Sequence, residues 1–317
     1  MIKVLLSRLL RLVLTLLAVS FITFMMVKLL PGDPVNTLLP PDAPRTPEIV
    51  AQIRADLGLD DPVWQQYLDW LGSALSGDLG TSYVTDQPVS EIIKDRFPVT
   101  FELALFATLI ALVFAIPAGI VGAYREGRMI DKTTSAALSV ALSIPNFIAG
   151  LFLIWLFTVQ FQIFPSTGWS RLTDAGLWAN FETAFLPSLA LALAPMAIYA
   201  RLLRADMIGV LKEDYILSAR AKGLRDRYIL FRHAFRPSTM SLMTVIGLTF
   251  GALLGGTVVI EQLFALPGLG SRLISAINQR DIIVIQGITV FIAAMYVIIN
   301  TIVDLLYLVV DPRIRKG

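Results

Sequence analysis

The sequence has 317 residues, of which 56% are hydrophobic and 16% are charged, and its mean hydropathy of +0.72 is too high for an ordinary water-soluble domain. A formal net charge of +2, with no basic run interleaved with aromatic residues, argues against a nucleic-acid partner, and the lack of cysteine excludes disulfides and thiolate metal sites. Because only helices or closed barrels satisfy the backbone in hydrocarbon, the long continuous apolar runs predict an all-α integral membrane protein.

Six apolar stretches are long enough to cross a bilayer as helices. The first, at about residues 9–30, lacks a small-residue cleavage site, so we expect it to be retained as a signal anchor. The other five are predicted at about 101–124, 134–162, 184–209, 239–264 and 283–309. Most of the 26 Lys and Arg residues fall on one side if both termini share that side. The positive-inside rule therefore predicts a multi-pass protein of the cell (inner or plasma) membrane with cytoplasmic N and C termini.

These spans divide the chain into three parts: residues 1–30 with the N-terminal tail and first span, residues 31–100 as an extracytoplasmic helical cap, and residues 101–317 as a five-helix core. Proline start signals and glycine or proline stop signals predict three cap helices, running from Pro47 to Gly58, from Pro62 to Gly77, and from Pro88 to just before Pro98. The second of these carries an apolar stripe, which predicts packing against the membrane domain or contact with a partner.

The predicted spans contain almost no ionisable groups at their centres, which argues against a proton or ion relay. Asn146 is the strongly polar side chain near the middle of the third span, where it is expected to make a helix–helix hydrogen bond or to touch a substrate. In the fifth span Gly247, Gly251 and Gly255 form a stripe of bare backbone. The stripe suits tight packing within the chain, or alternatively a pathway wall or subunit seam.

The loop at residues 210–238 contains the most informative pattern in the chain, Glu213-Asp214-Tyr215-Ile216-Leu217-Ser218-Ala219-Arg220-Ala221-Lys222-Gly223-Leu224. Asp214 is predicted as the N-cap of a helix of about two turns, and Gly223 as its left-handed stop. Tyr215, Ile216 and Ala219 are predicted to share a face. A basic loop that only sets topology would explain the many arginines but not this apolar face.

The loop resembles the E-A-A-x-x-x-G element of ABC importer permeases in the dipeptide/oligopeptide/nickel branch, which reads D-Y-I-x-x-A-x-A-K-G-L. Five further segments resemble the B-type subunit of that branch: Leu57-Gly58-Leu59-Asp60, Gln66-Tyr67 with Trp70-Leu71, Gly77-Asp78-Leu79-Gly80, Leu266-Pro267-Gly268-Leu269-Gly270, and Val303-Asp304 followed by Asp311-Pro312-Arg313. The chain departs from the generic element, because Leu217 stands in the place of its Glu and His233-Ala234-Phe235-Arg236 in the place of its later Leu-Pro. Both departures match the peptide branch.

The resemblance implies a type I ABC importer in which this chain and a C-type permease form the pathway, two ATP-binding subunits dock on the cytoplasmic side, and an extracytoplasmic solute-binding protein delivers substrate. It implies that 101–317 is the permease core and that the ATPases are contacted by Asp214, Tyr215, Ile216, Ala219, Arg220, Ala221, Lys222 and Gly223. Bulky or charged replacements of Ala219 or Gly223 are expected to spoil that docking. In the external loop 163–184, Trp169 and Trp178 are expected to contact the binding protein.

No catalytic or metal site is predicted in this chain. It contains no G-x-x-x-x-G-K-[ST] phosphate loop, so ATP and Mg²⁺ are expected only in the partner subunits. Dipeptides or oligopeptides are the leading substrates, and nickel, haem or another small solute remains an alternative within the same class. An ion-coupled secondary transporter or an intramembrane enzyme would need buried carboxylates or clustered His, Glu and Asp, which the predicted spans lack.

Overall fold

The computed structural model describes residues 2–29, 46–56 and 58–310. Within these ranges the regular structure is helical, with an isolated antiparallel bridge between Thr81 and Pro88 as the one strand-like feature. The predicted all-α fold is therefore confirmed. The start of the expected cap at 31–45, Leu57, and the motif Asp311-Pro312-Arg313 lie outside the described residues.

The helices follow one another along the whole described chain. In order, they are α1 (Ile2–Lys28), α2 (Pro47–Asp56), α3 (Val63–Leu75), α4 (Val89–Tyr124), α5 (Met129–Ser143), α6 (Asn146–Gln160), α7 (Leu172–Leu211), α8 (Asp214–Ala221), α9 (Asp226–Gly256), α10 (Val258–Leu263), α11 (Leu269–Gln279) and α12 (Ile282–Val310). The end of α6 (Ile154–Gln160) and the start of α9 (Ile229–Phe235) are wound as π-helix.

Among the residues that the structure describes, five helices are long and apolar enough to cross a membrane, namely α1, α4, α7, α9 and α12, and α5 with α6 makes a sixth if the bent pair is one span. The bend between α5 and α6 is 100°. Ile144 adopts φ −83° and ψ 119° immediately before Pro145, the extended conformation that a following proline favours. The predicted third span is thus two helices joined at this proline.

Two predicted boundaries are wrong. The third cap helix was expected to stop before Pro98, but α4 runs through it without a break. An interior proline costs roughly 3 kcal/mol of helix stability, and burial on both sides of Pro98 offsets that cost, because Ile92, Ile93, Leu103 and Ala104 are all buried. The expected external loop at 163–184 is also helical from Leu172 onward, although Gly176 interrupts α7 with φ 81° and ψ 172°.

The chain divides into two compact units, the first comprising residues 1–99 and 267–297. Its core joins the start of α4 to α11 and the first half of α12, through Val89, Ile92, Ile93, Leu269, Ala276, Val284, Ile285 and Ile288. A buried hydrogen bond of 2.5 Å from the Ser82 hydroxyl to the Asp281 carboxylate ties the turn before α4 to the turn before α12. Arg272 lies 3.5 Å from the same carboxylate and balances its charge.

The second unit comprises residues 100–266 and the chain from 298 onward, and α7 is its central helix. Helices α5, α6 and α9 all pack against α7. Close approach is possible because many of the buried positions of α7 carry small side chains, at Ala184, Ser188, Ala190, Ala192, Ala197 and Ala200. The segment that contains α8 belongs to this unit and directly follows α7.

Candidate functional site: the 212–226 segment

Helix α8 begins one residue earlier than the sequence indicated. Glu213 has the extended backbone of an N-cap, with φ −71° and ψ 148°, and Asp214 is the first helical residue. The prediction that Asp214 is the cap is therefore wrong, because a cap residue must stand outside the helical conformation. The Asp214 carboxylate still lies in the first turn, where it interacts favourably with the positive end of the helix dipole.

The end of α8 is set by Gly223, as predicted. Its φ of +77° is left-handed. The Gly223 N–H donates to the Arg220 carbonyl at 2.9 Å and the Leu224 N–H donates to the Ala219 carbonyl at 3.3 Å, which is the hydrogen-bond pattern of a Schellman motif. A Cβ added at Gly223 would meet no atom within 4 Å. The requirement for glycine here comes from backbone conformation and not from close packing.

One face of α8 packs on the chain itself. Ile216 is fully buried and Ala219 is 7% exposed, and both belong to an apolar cluster with Ile229, against which Leu211 packs. Tyr215 is half exposed and its hydroxyl donates to the His233 carbonyl at 3.3 Å. Partial burial, and then the nearby Glu213 carboxylate, raises the pKa of Tyr215. The small size of Ala219 is therefore explained by packing inside this chain.

The opposite face of α8 is open. Asp214, Leu217, Ser218 and Ala221 are all exposed, and Leu217 has 56% of its surface accessible. Leu224, Tyr228 and Phe231, on the chain that follows, are exposed as well. We call Asp214, Leu217, Ser218 and Ala221 the outer face of α8. An apolar leucine held outward on a short, capped helix and surrounded by further exposed apolar groups is typical of a docking surface.

Sequence reasoning placed Ala221 in the docking set but missed Leu217 and Ser218. The signal was present in the helical period. At 100° per residue Leu217 and Ser218 lie on the other side of α8 from the face formed by Ile216 and Ala219, so burial of that face predicts exposure of Leu217. Arg220 and Lys222, also in the predicted set, are exposed on the flanks of α8.

Both ends of this segment are tied to the turn between α4 and α5. Lys212, just before α8, makes a 3.2 Å ion pair with Glu126, and the Tyr124 hydroxyl donates at 3.0 Å to Asp226 just after it. We refer to these two interactions as the end contacts. Each is exposed and contributes about 1 kcal/mol or less. Together they hold the segment at two points, so that α8 and the turn are coupled.

The same turn is anchored by a buried ion pair. Arg204, in the last part of α7, donates two hydrogen bonds to Asp131 at 2.6 and 2.7 Å. The Gly127 N–H donates a third at 2.9 Å, and the Asp131 side chain is only 5% exposed. A bidentate pair of this kind fixes both position and direction. The cytoplasm-facing ends expected for α4, α5 and α7 are thereby joined beside α8.

For the first glycine of the stripe in α9, Gly247, the structure shows which neighbour it packs against. A Cβ on Gly247 would lie 2.1 Å from a Val303 methyl group, so α9 and α12 approach closely there. This favours packing within the chain at Gly247. Gly251 is also buried, whereas Gly255 is exposed. Asn146 is half buried and opens α6 immediately after the bend at Pro145.

The two tryptophans expected at the binding-protein surface differ in exposure. Trp169 is half buried, whereas Trp178 is 72% exposed and its ring lies 5.9 Å from that of Phe181. Phe181 in turn contacts Phe185, whose ring stacks on Phe164 at 5.1 Å. Trp178 is therefore the outer end of a row of aromatic rings and available for contact, and its role remains a prediction.

Sequence reasoning also missed a buried carboxylate in α10. Glu261 is fully buried and accepts hydrogen bonds from the Thr100 hydroxyl at 2.7 Å and the Thr257 hydroxyl at 2.8 Å. Thr257 precedes Glu261 by one helical turn, a spacing visible in the sequence, but Thr100 is distant along the chain. The hydroxyl donors explain how the carboxylate is accommodated beside an apolar span.

Comparison with known proteins identifies the family. Residues 115–316 match the family described as the binding-protein-dependent transport system inner membrane component, and residues 1–104 match the N-terminal part of the same kind of membrane component. The chain belongs to this family. It is thus a permease of an ABC importer and a multi-pass membrane protein.

Several relatives match over nearly their whole length. A Brucella abortus protein described as a putative peptide transport system permease is 41% identical over 300 residues, covering 94% of each chain. The oligopeptide transport system permease protein AppB of Bacillus subtilis is 39% identical with 95% of each covered, and the dipeptide transport system permease protein DppB of Escherichia coli is 37% identical with 99% of each covered. All three relatives are described as permeases of peptide transport systems, and each matches nearly the whole of this chain.

A solved structure shares the fold. An inward-facing form of the MetNI methionine ABC transporter superposes with a TM-score of 0.56 at 16% identity, over 69% of this chain and 96% of the matched chain. A second crystal form of the same transporter gives 0.52 at 17% identity, over 67% and 93%. The predicted type I importer architecture is therefore confirmed.

Proposed function

We propose that this permease carries dipeptides or oligopeptides, that it forms half of the pathway with a C-type permease subunit, and that two ATP-binding subunits drive it through the outer face of α8. The observation that supports this proposal most strongly is that one face of α8 is buried in the chain and the opposite face is exposed. Its inner face, Ile216 and Ala219, is packed against the rest of the chain, while Leu217 on the outer face is exposed and available to a partner.

The surroundings of α8 support its use as a mechanical connection. A docked partner can move the pathway only if displacement of α8 is passed to the membrane helices. The end contacts join the segment to the turn at 124–131, and the Asp131–Arg204 pair joins that turn to α7. Shifting a two-state pathway from 1:99 to 99:1 needs about 5.5 kcal/mol of differential binding, which closure of ATP-bound partners can supply.

The energy in this proposal comes from the partners. The sequence holds no phosphate loop, so ATP and Mg²⁺ are bound and ATP is hydrolysed by the two partner subunits. An extracytoplasmic solute-binding protein delivers substrate on the opposite side, and both termini of the permease are cytoplasmic with α8. The peptide substrate is supported by the relatives, whose names include oligopeptide, dipeptide and glutathione transport systems.

The test is ATP-driven uptake by the complete importer in proteoliposomes, with the Leu217→Asp and Leu217→Met permeases compared. A charge on the outer face leaves an unpaired carboxylate in the docking surface, whereas Met keeps the surface apolar. Loss of about 1.4 kcal/mol in docking corresponds to a tenfold loss of affinity, so we expect uptake and substrate-stimulated ATP hydrolysis to fall together for Leu217→Asp and to persist for Leu217→Met.

A substrate panel completes the test. Dipeptides, longer peptides, nickel and haem are offered to the wild-type importer under the same conditions. Peptide-dependent ATP hydrolysis and uptake support the proposed substrate class. Stimulation by nickel or haem alone would replace it, and wild-type coupling in Leu217→Asp would remove the assignment of α8.

A further inference from the structure

Helix α3 has an apolar face that only partly packs on the chain. At 100° per residue its polar residues Gln65, Asp69 and Ser73 fall on one side. On the other side, Tyr67 and Trp70 are half buried, whereas Trp64, Leu68 and Leu75 are 64%, 54% and 82% exposed. We call Trp64, Leu68 and Leu75 the open edge of α3.

Contacts of Tyr67 fix the position of α3 along α1. The Tyr67 hydroxyl is 2.9 Å from the Ser20 hydroxyl and donates to the Leu17 carbonyl at 3.3 Å. Its ring lies 5.2 Å from that of Phe21 and 5.5 Å from that of Phe24. At the end of α1, Lys28 donates to the side-chain carbonyl of Gln66. Helix α3 therefore packs beside the last three turns of α1.

These contacts place α3 at the edge of the hydrocarbon layer. The apolar window of α1 is Leu9–Met26, and little of it is buried in the chain. With a rise of about 1.5 Å per residue, Ser20 lies roughly 9 Å inside the Met26 end. Interfacial amphipathic helices sink their apolar face by about 5–10 Å, so Tyr67 reaches Ser20 from the depth that such a helix occupies.

The open edge continues the lipid-facing surface of α1. Phe21 is 45% exposed and its ring also touches Tyr67, so an exposed apolar side chain of α1 lies directly beside α3. Helix α3 contains no Lys or Arg, and its one charged residue, Asp69, is exposed on the polar side. Trp is enriched at the boundary between acyl chains and headgroups.

We propose that the open edge of α3 binds lipid, with Trp64, Leu68 and Leu75 inserted into the leaflet at the Met26 end of α1. Helix α3 then lies flat in that interface with Asp69 and Ser73 toward water. Lipid contact and the contact of Tyr67 with Ser20 together hold the first span and the cap in one arrangement. This proposal does not depend on the transported substrate or on the coupling role of α8.

The chain offers a clean experiment because its sequence contains no cysteine. Leu68→Cys and Leu75→Cys place a spin label on the open edge, and Ser73→Cys is the matched control on the polar side. Each variant is assembled with cysteine-free partner subunits and reconstituted in lipid nanodiscs. Collision of the label with oxygen, which concentrates in lipid, and with a water-soluble nickel chelate is then measured.

We expect the oxygen-to-nickel collision ratio to be several-fold higher at Leu68→Cys and Leu75→Cys than at Ser73→Cys, with or without the solute-binding protein. Equal ratios on the two sides would overturn the proposal. Protection of Leu68→Cys from both reagents would show that a protein subunit covers the open edge. A change at Leu68→Cys that appears only when the solute-binding protein is added would assign the surface to that protein, and either result overturns the proposal.

Discussion

Replacing Ala219 by Leu is expected to destabilise the permease itself, whereas the same change at Ala221 is expected to leave its stability unchanged. Ala219 is 7% exposed and lies against Ile216, Ile229 and Leu211, so there is no room for the added carbons. Inserting such groups into a packed core costs about 1–3 kcal/mol. Ala221 is exposed on the opposite side of α8 from Ala219, and surface changes of this kind stay within about 0.5 kcal/mol.

The assay is thermal unfolding of the detergent-purified permease, followed by uptake in the assembled importer. The Ala219→Leu midpoint is expected to fall, and the Ala221→Leu midpoint to match that of the wild type while its uptake drops. The two variants add the same atoms to the same helix, so composition and helix propensity cancel. Equal midpoints for the two variants, or full uptake by Ala221→Leu, would refute the assignment of the inner and outer faces.

Three further substitutions test the surrounding structure. Gly223→Ala is expected to destabilise the end of α8 by about 1 kcal/mol because φ is +77° there, and hydrogen exchange should show faster opening of the helix. Gly247→Ala is expected to lower the unfolding midpoint, and Val303→Ala to restore it by making room; failure of that rescue would favour a seam or pathway role for the glycine. Arg204→Met is expected to cost about 1–3 kcal/mol because the Asp131 carboxylate loses the two hydrogen bonds from the guanidinium, and adding Asp131→Asn should recover part of the loss in the same unfolding assay.

The sequence predicts best where the structural signal is local. Pro62 and Gly77 bracket α3, and Gly77 is indeed left-handed with φ +91°. The capped end of α8 at Gly223 is predictable for the same reason, since a left-handed residue is required within one turn. The bend at Pro145 is also set locally, by the proline and the residue before it, although residues 134–162 were predicted as one span. In each case the atoms that decide the conformation are a few residues apart.

The failures share a different cause. Whether α4 stops at Pro98 depends on burial of the residues on either side of the proline, and the partner of Asp131 is Arg204, far along the chain. Glu261 similarly finds the Thr100 hydroxyl. Such pairings depend on which helices meet. In a membrane helix the side that faces lipid and the side that faces the protein core are almost equally hydrophobic, so the sequence does not tell the two sides apart. Sequence periodicity is therefore weakest in the membrane spans.

The central claim is that the outer face of α8 is where the ATP-binding subunits engage this permease. The most direct measurement is site-specific crosslinking in the assembled importer, using Ala221→Cys and Ala219→Cys in the cysteine-free chain with a short photoactivatable reagent. The account predicts a crosslink to the ATP-binding subunit from Ala221→Cys, with a yield that changes on addition of ATP, and none from the buried Ala219→Cys. Absence of any crosslink from Ala221→Cys, in an importer that still transports, would contradict it.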